Sequence, residues 1–431
     1  MEKVTIGVLG FGTVGTGVVK TLRDHQAVLR AKTGIAFDLK KIAVLDLTRK
    51  RSVNIEQSLL TTDASQILND PEIQIVVELI GGYEPARTLI LEALRQGKHV
   101  VTANKALLAV HGQELFETAQ QQHVDIGFEA SVGGGIPIIR SLREGLVANN
   151  FTEIYGILNG TTNYILTEMT EKGEAFEDVL RRAQELGLAE ADPTFDIEGI
   201  DATHKLVLLT YLAYGQHAEM KQVLTQGISD LQPIDINFAK EFGYKVKLLA
   251  IARQSDGMVE ARVHPTMISA DHLLAKVDGS FNAIYVVGDV VDSTMFYGHG
   301  AGMMPTASAV VSDIVDIARN VQKGATNRLP LLPSTGEAAR FTLQAPDQFH
   351  SKYYLRFTAV DRHGVLSKIS GILAQYKISL SSVIQKAGYP PDKVPIVMMT
   401  YDAPEHAMQQ ALAKIDQLDI VTDKTVLIRV L

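Results

Sequence analysis

The sequence predicts an α/β chain in three parts, and three observations carry that expectation. A short apolar strand runs straight into a glycine-spaced turn and a helix at the start of the chain. Apolar strands then alternate with helical stretches, which implies a parallel sheet. The last eighty or so residues restart with a different element order. A length of 431 residues fits about three domains.

Val4–Leu9 is the β-branched opening strand, and it ends in Gly10-Phe11-Gly12-Thr13-Val14-Gly15. Residues Thr16 to Arg30 read as the following helix. This G-x-G-x-x-G spacing has a mechanical logic. Gly10 allows the tight turn, Gly12 the approach of a pyrophosphate, and Gly15 close helix–strand packing. The helix N-terminus then offers unpaired N–H groups to an anion. An ordinary glycine-rich turn would carry the same letters, so position between strand and helix is what gives the motif weight. The second strand is expected over Lys40–Leu47, with Asp46 placed to hold a ribose 2′-hydroxyl. Arg49, Lys50 and Arg51 follow and suit a 2′-phosphate, or are simply a solvated loop. NAD and NADP therefore both stay open. Further strands are expected at Ile73–Ile80, ending in Gly81-Gly82, and at His99–Thr102.

Composition narrows the chemistry. Apolar residues are 46% and charged residues 21%, the balance of a globular protein. The net charge of −8 argues against nucleic-acid binding. The stretch Ser293–Ser312 lacks charge but is broken by Gly298, Gly300, Gly302 and Pro305, so no membrane span is expected. The apolar run Val4–Val19 resembles a signal-peptide core, but its glycines and the absence of a basic lead favour the dinucleotide reading. The chain has no cysteine. That excludes disulfides, thiolate metal sites and thiol nucleophiles, and it suits a cytoplasmic setting. Without a thiol, oxidation of an aldehyde through a thiohemiacetal is ruled out. Direct hydride transfer between alcohol and carbonyl remains, needing positioning and a proton-moving group. The histidines show no zinc spacing, and His204 reads as structural.

Three clusters offer such groups. Thr102-Ala-Asn-Lys105 puts a lysine at the C-terminal end of a strand, where open α/β sheets bind ligands. Glu129 leads into Gly133-Gly134-Gly135 and Pro137, a ligand-approach loop or a hinge. Glu190-Ala-Asp192-Pro through Asp196, Glu198 and Asp201 to Lys205 places five carboxylates before one lysine, and an apolar helix is expected over Leu206–Leu212. Asp201 and Lys205 share a helix face at four-residue spacing. That is a surface ion pair, or a proton donor if Lys205 is buried.

Taken with Leu158-Asn-Gly160-Thr161-Thr162-Asn163-Tyr164 and Gly300-Ala-Gly302-x-x-Pro305, these motifs resemble homoserine dehydrogenase, in order from about residue 3 to 330. The resemblance implies interconversion of L-homoserine and L-aspartate 4-semialdehyde with NAD(P), in threonine, methionine and isoleucine biosynthesis. It implies Lys205 as proton donor and acceptor and Lys105 at the nicotinamide–substrate junction. Glu190, Asp201, Gly160 and Thr161 would contact substrate. Gly10, Phe11, Gly12, Thr13, Val14, Gly15, Asp46, Arg49, Arg51, Lys105, Gly187 and Gly302 would face the cofactor. Glu129 and the carbonyls of Val132, Gly134 and Ile136 would hold a monovalent cation, usually sodium. Many relatives carry arginine where this chain has Leu45, so NADP preference by that route is not implied.

The boundaries read as 1–150 for the Rossmann-type dinucleotide domain, with a return helix at 306–325, and 151–305 for an α+β substrate and dimerisation domain. A linker at 326–349 contains Pro330, Pro333 and Ser334-Thr-Gly336. In the final part, 350–431, the order is βαββαβ, a ferredoxin-like plan. Its turn Val360-Asp-Arg-His-Gly364-Val-Leu366 resembles that of an ACT domain, which implies threonine sensing or dimerisation alone. A homo-oligomer, dimer or tetramer, is expected. Two other readings share part of this pattern: a non-catalytic nucleotide- and amino-acid-binding regulator, and another amino-acid dehydrogenase.

Overall fold

The computed structural model describes residues 3–215, 217–330 and 341–431. Pro333 and Ser334-Thr-Gly336 of the expected linker lie outside the described residues. The chain divides into two compact units, Met1–Ile154 with His204–Met220 and Asn282–Thr342, and Tyr155–Thr203 with Lys221–Phe281 and Leu343–Leu431.

The first unit is built on six strands: β1 (Lys3–Leu9), β2 (Ala36–Ala43), β3 (Leu60–Thr61), β4 (Ile75–Glu78), β5 (His99–Thr102) and β6 (Ile126–Gly127). They pair in parallel in the order 3-2-1-4-5-6. This is the doubly-wound order, whose reversal at β1 and β4 opens a crevice at the strand C-termini. Val4, Ile6, Val8, Ile75 and Val77 are buried and form one core with the helix Met303–Gln322. That helix lies on the helix Thr13–Asp24 at a glycine: a Cβ on Gly17 would meet the Met303 carbonyl oxygen at 2.6 Å.

Two local expectations are corrected. The first helix is two helices, Thr13–Asp24 and Gln26–Thr33, divided at His25. The second strand is Ala36–Ala43, four residues earlier than Lys40–Leu47, because Lys3–Ile6 pairs with Ala36–Leu39. Asp46 therefore lies beyond that strand, in an exposed loop.

In the second unit the strands Tyr244–Ser255 and Met258–Ser269 form a long antiparallel pair. Met258–Ser269 is joined in parallel by Val421–Val430, through only Thr266↔Arg429 and Met267↔Val430. The sheet then continues through His350–Ala359, Val394–Thr400 and Leu380–Gln385. With the helices Val365–Gln375 and Glu405–Ile415, the C-terminal strands give the expected βαββαβ order. Tyr353, Phe357, Ile369, Met398, Met408 and Ile415 fill its core.

Two buried ion pairs stiffen this unit. Asp235, fully buried at the start of the helix Pro233–Glu241, accepts Arg356 Nε at 2.6 Å and Nη2 at 3.0 Å and the Tyr354 hydroxyl at 2.9 Å. Glu405 accepts Arg429 Nε at 3.0 Å and the Tyr353 hydroxyl at 2.9 Å. Removing one partner of such a pair strands the other charge in the interior. Asp235→Ala is expected to cost about 3–5 kcal/mol, measured as a drop in urea midpoint. A change below about 1 kcal/mol would mean Arg356 finds solvent.

Candidate active site

In the first unit, the residues expected to hold a dinucleotide gather at the C-terminal edge of the parallel sheet. Gly10 follows β1 with φ +101°, and a Cβ on Gly15 would strike the Gly10 carbonyl oxygen. Gly12 caps the helix Thr13–Asp24 in extended backbone, and a Cβ there would meet nothing within 4 Å. Open space at a helix N-terminus is what a pyrophosphate requires, so a dinucleotide fits this turn. Arg51 lies across the Phe11 ring at 5.1 Å and donates Nη2 to the Asp46 carbonyl at 2.7 Å. The Asp46 carboxylate accepts the Thr48 hydroxyl at 2.6 Å and its N–H at 2.7 Å, and these bonds lower its pKa.

The neighbouring strand ends are organised by Glu78, a fully buried residue that the sequence reading passed over. It accepts the Ile80 N–H at 2.7 Å and the Thr102 hydroxyl at 2.7 Å. Thr102 Oγ1 accepts the Asn104 N–H, and Asn104 donates to the Gly82 carbonyl and caps the helix Lys105–Gln121. Lys105 is thereby fixed as the first residue of that helix. A lone carboxylate closing the apolar run Ile75-Val-Val-Glu78 was the available signal.

Lys205 is 7% exposed, on a helix that begins at Ile200 and ends at Tyr214. The lysine thus does not open the helix, as the apolar run from Leu206 suggested. Ile200 opens it, and Asp201 sits in the first turn, where an acid complements the helix dipole. Tyr211 of this helix stacks on Phe116 of the helix that Lys105 opens, with ring centroids 5.8 Å apart.

Glu129 is buried, and its two carboxylate oxygens accept the Ile139 and Arg140 N–H groups, each at 2.8 Å. Burial still raises its pKa. The backbone N–H of Glu129 donates to Asp313 Oδ2 at 2.8 Å. Gly134 has φ +54°, and a Cβ on it would lie 2.5 Å from the Gly300 backbone. The Gly133–Gly135 loop and the Gly300–Gly302 turn are therefore in backbone contact. Among the described residues, no group of three or more His, Cys, Asp or Glu forms a metal site.

In the second unit, the turn Asn159–Thr162 meets the carboxylate cluster. Asn159 Nδ2 donates to Asp196 Oδ1 at 2.7 Å and to Asp201 Oδ2 at 2.9 Å. Its Oδ1 accepts the Thr162 N–H and caps the helix Gly160–Lys172. Thr161 donates to the Leu188 carbonyl at 2.7 Å, fastening the loop from Gly187 to Glu190 beside Gly160. Asp201 is buried and Glu190 is exposed. Asn163 is fixed too: its Nδ2 donates to the Val277 and Phe281 carbonyls, and buried Lys247 donates to its Oδ1 at 3.0 Å. Asn159 and Asp196 were visible as letters, but nothing in the spacing gave them a role.

A doubly-wound domain with a phosphate-ready glycine turn and a buried lysine defines a nicotinamide-dependent oxidoreductase. Comparison with known proteins makes this specific. The family profile "Homoserine dehydrogenase" matches residues 137–315, its NAD-binding domain residues 10–129, and "ACT domain" residues 353–419. Homoserine dehydrogenase of Pseudomonas aeruginosa is 44% identical over 432 aligned residues, covering 100% of this chain and 99% of that protein. The Bacillus subtilis enzyme is 40% identical, covering 98% and 97%. The crystal structure of a homoserine dehydrogenase from Thiobacillus denitrificans superposes with a TM-score of 0.93 at 46% identity, covering 100% of this chain and 99% of that one. The chain belongs to the homoserine dehydrogenase family. It is an oxidoreductase of amino-acid biosynthesis that interconverts homoserine and aspartate 4-semialdehyde, and its C-terminal module is an ACT domain. Among the described residues, no helix is long and apolar enough to cross a membrane.

Asp313 carries a pH signature. It is buried, and burial followed by repulsion from Glu129 raises its pKa to about 7. The folded protein therefore binds a proton at Asp313 that the unfolded chain releases near pH 4. Stability from this group is greatest below pH 4 and falls as pH rises to about 7, by up to about 4 kcal/mol. In Asp313→Asn that slope is expected to vanish. Thermal unfolding of both proteins from pH 4.5 to 8 checks it, and parallel curves would refute the assignment.

Proposed function

We propose that Lys205 is the proton donor and acceptor on the substrate oxygen. The observation that carries this role is a nearly buried ammonium on an apolar helix, one turn after Asp201. When bound, the nicotinamide supplies or accepts a hydride at the substrate carbon. In the reducing direction, negative charge grows on the carbonyl oxygen, and the Lys205 ammonium stabilises it and then gives up its proton. In the oxidising direction Lys205 takes the proton back. A site shielded from water strengthens that interaction.

The other roles follow from placement and resemblance. Lys105, fixed at the head of its helix, lies at the junction of nicotinamide and substrate. Asp201 and Glu190 oppose the substrate ammonium, and Gly160 and Thr161 form the substrate turn. Gly10–Gly15 cradles the pyrophosphate. Asp46, Arg49 and Arg51 face the adenosine ribose of NAD or NADP, and Gly187 and Gly302 border the cofactor. A hyperthermophilic archaeal homoserine dehydrogenase, 27% identical, has been solved in complex with NADPH. A monovalent cation such as sodium is assigned to Glu129 with the Val132, Gly134 and Ile136 carbonyls. A buried carboxylate beside backbone with positive φ suits such an ion. The Ile136 carbonyl also accepts the Ile138 N–H at 2.8 Å, so it would share its lone pairs. We further place the enzyme in the cytoplasm as a homo-oligomer.

The ACT domain is assigned as a threonine sensor. Gly364, at φ +85°, heads the helix Val365–Gln375 beside a cavity of about 530 Å³ lined by Asp361, Arg362, Ser367, Ser370 and Gln385. Backbone N–H groups at that helix start suit a carboxylate, and Asp361 suits an ammonium.

Two experiments test these assignments. Lys205→Ala is expected to lose at least about 100-fold in kcat while still binding NADPH, followed by fluorescence. Near-normal turnover would defeat the role. L-Threonine is expected to inhibit the full chain, and Asp361→Ala to raise the half-inhibiting concentration at least about tenfold. If threonine leaves both rate and Tm unchanged, the domain is no threonine sensor.

A further inference from the structure

The turn proposed to bind substrate and the carboxylate proposed to face its ammonium are tied together by one side chain. Asn159 stands in extended backbone, φ −127° and ψ 118°, immediately before the helix Gly160–Lys172. Asn159 is 5% exposed, and both ends of its amide are hydrogen-bonded. Nδ2 gives one hydrogen to Asp196 at 2.7 Å and the other to Asp201 at 2.9 Å. Oδ1 accepts the Thr162 N–H at 2.8 Å and the Thr162 hydroxyl at 3.0 Å. The orientation of the amide is not arbitrary. Turned over, its oxygen would face two carboxylates and its NH₂ would face an N–H donor.

Only a neutral group with two donors and an acceptor performs all three tasks. The two accepting carboxylate oxygens lie within roughly 5–6 Å of each other, where like charges repel. A carboxylate at 159 would add a third negative charge. A hydroxyl has a single hydrogen and cannot serve both acids.

We propose that Asn159 is a positioning residue for homoserine binding. It holds Asp201 in register with Gly160 and Thr161 by clamping Asp196 and Asp201 to the head of their helix. The inference rests on the substrate roles given above to Asp201, Gly160 and Thr161. It assigns Asn159 no part in hydride or proton transfer.

Asn159→Asp separates the clamp from the cap. An aspartate is isosteric and caps a helix as well as asparagine does, but it has no hydrogens for Asp196 and Asp201. Asn159→Ala removes both functions. In Asn159→Asp, KM for homoserine is expected to rise at least about tenfold, the loss from a hydrogen bond to a charged group. The Kd for NADPH, read by fluorescence, should stay within about twofold, because the hydrogen bonds of the Asn159 amide run to Asp196, Asp201 and Thr162. Asn159→Ala should show a comparable rise in KM together with a lower Tm. A purely structural asparagine predicts the reverse pattern, with the KM of Asn159→Asp unchanged and only Asn159→Ala impaired, and that result overturns the clamp. Equal losses of NADPH affinity and homoserine affinity in Asn159→Asp would overturn it as well. A wild-type chain whose KM for homoserine is unaffected by Asp201→Asn would overturn the substrate assignment beneath the clamp, and the clamp with it.

Discussion

Backbone approaching backbone is the constraint on which the first unit depends. Three contacts are made where a side chain would collide. Gly15 lies against the Gly10 carbonyl, Gly17 against Met303, and Gly134 against Gly300. The first sets the helix over the end of β1. The second seats the long helix Met303–Gln322 on that nucleotide helix. The third brings the Gly133–Gly135 loop to the turn that begins the long helix. In the second and third, residues far apart in the chain meet with their main chains in contact. Atoms of this sort hardly move when side chains change rotamer, so the cofactor edge is rigid by construction.

A second theme is the handling of negative charge. The chain is acidic overall, yet its buried carboxylates are each met by donors. Glu78 takes two main-chain N–H groups and a threonine, and Glu129 takes two main-chain N–H groups. Asp235 and Glu405 take arginines. Asp313 is the least compensated, with one N–H and Arg140 at 3.5 Å, and it alone among these has its pKa raised to about 7. Backbone donors do not titrate, so any change of charge at these contacts falls on the carboxylate, and burial pushes both Glu129 and Asp313 above the usual carboxylate range.

The difference between what could be read from the chain and what could not follows from range. The glycine turn, the strand ending at Thr102, and the βαββαβ order were legible because each is a local pattern of periodicity and turn chemistry. The position of β2 was not, because pairing with Lys3–Ile6 set its register, and local alternation did not. Asp46 moved out of its strand for the same reason. Lys205 was legible as a chemical candidate, but its burial belongs to the folded helix. Glu78 and Asn159 escaped because their importance lies wholly in partners up to 42 residues away. A single sequence does not display such pairs.

The two rungs joining Met258–Ser269 to Val421–Val430 have a consequence for evolution and for engineering alike. A module appended through a flexible tether can be shed without harm to its host. This one closes the side of a long strand. Shortening the chain before residue 350 would leave the main-chain donors and acceptors at Thr266 and Met267 open to any passing strand, with buried Arg262 and His264 close by. The ACT domain therefore also covers a strand edge that would otherwise invite pairing with another chain. A lineage that lost it would first need to blunt the edge it leaves behind.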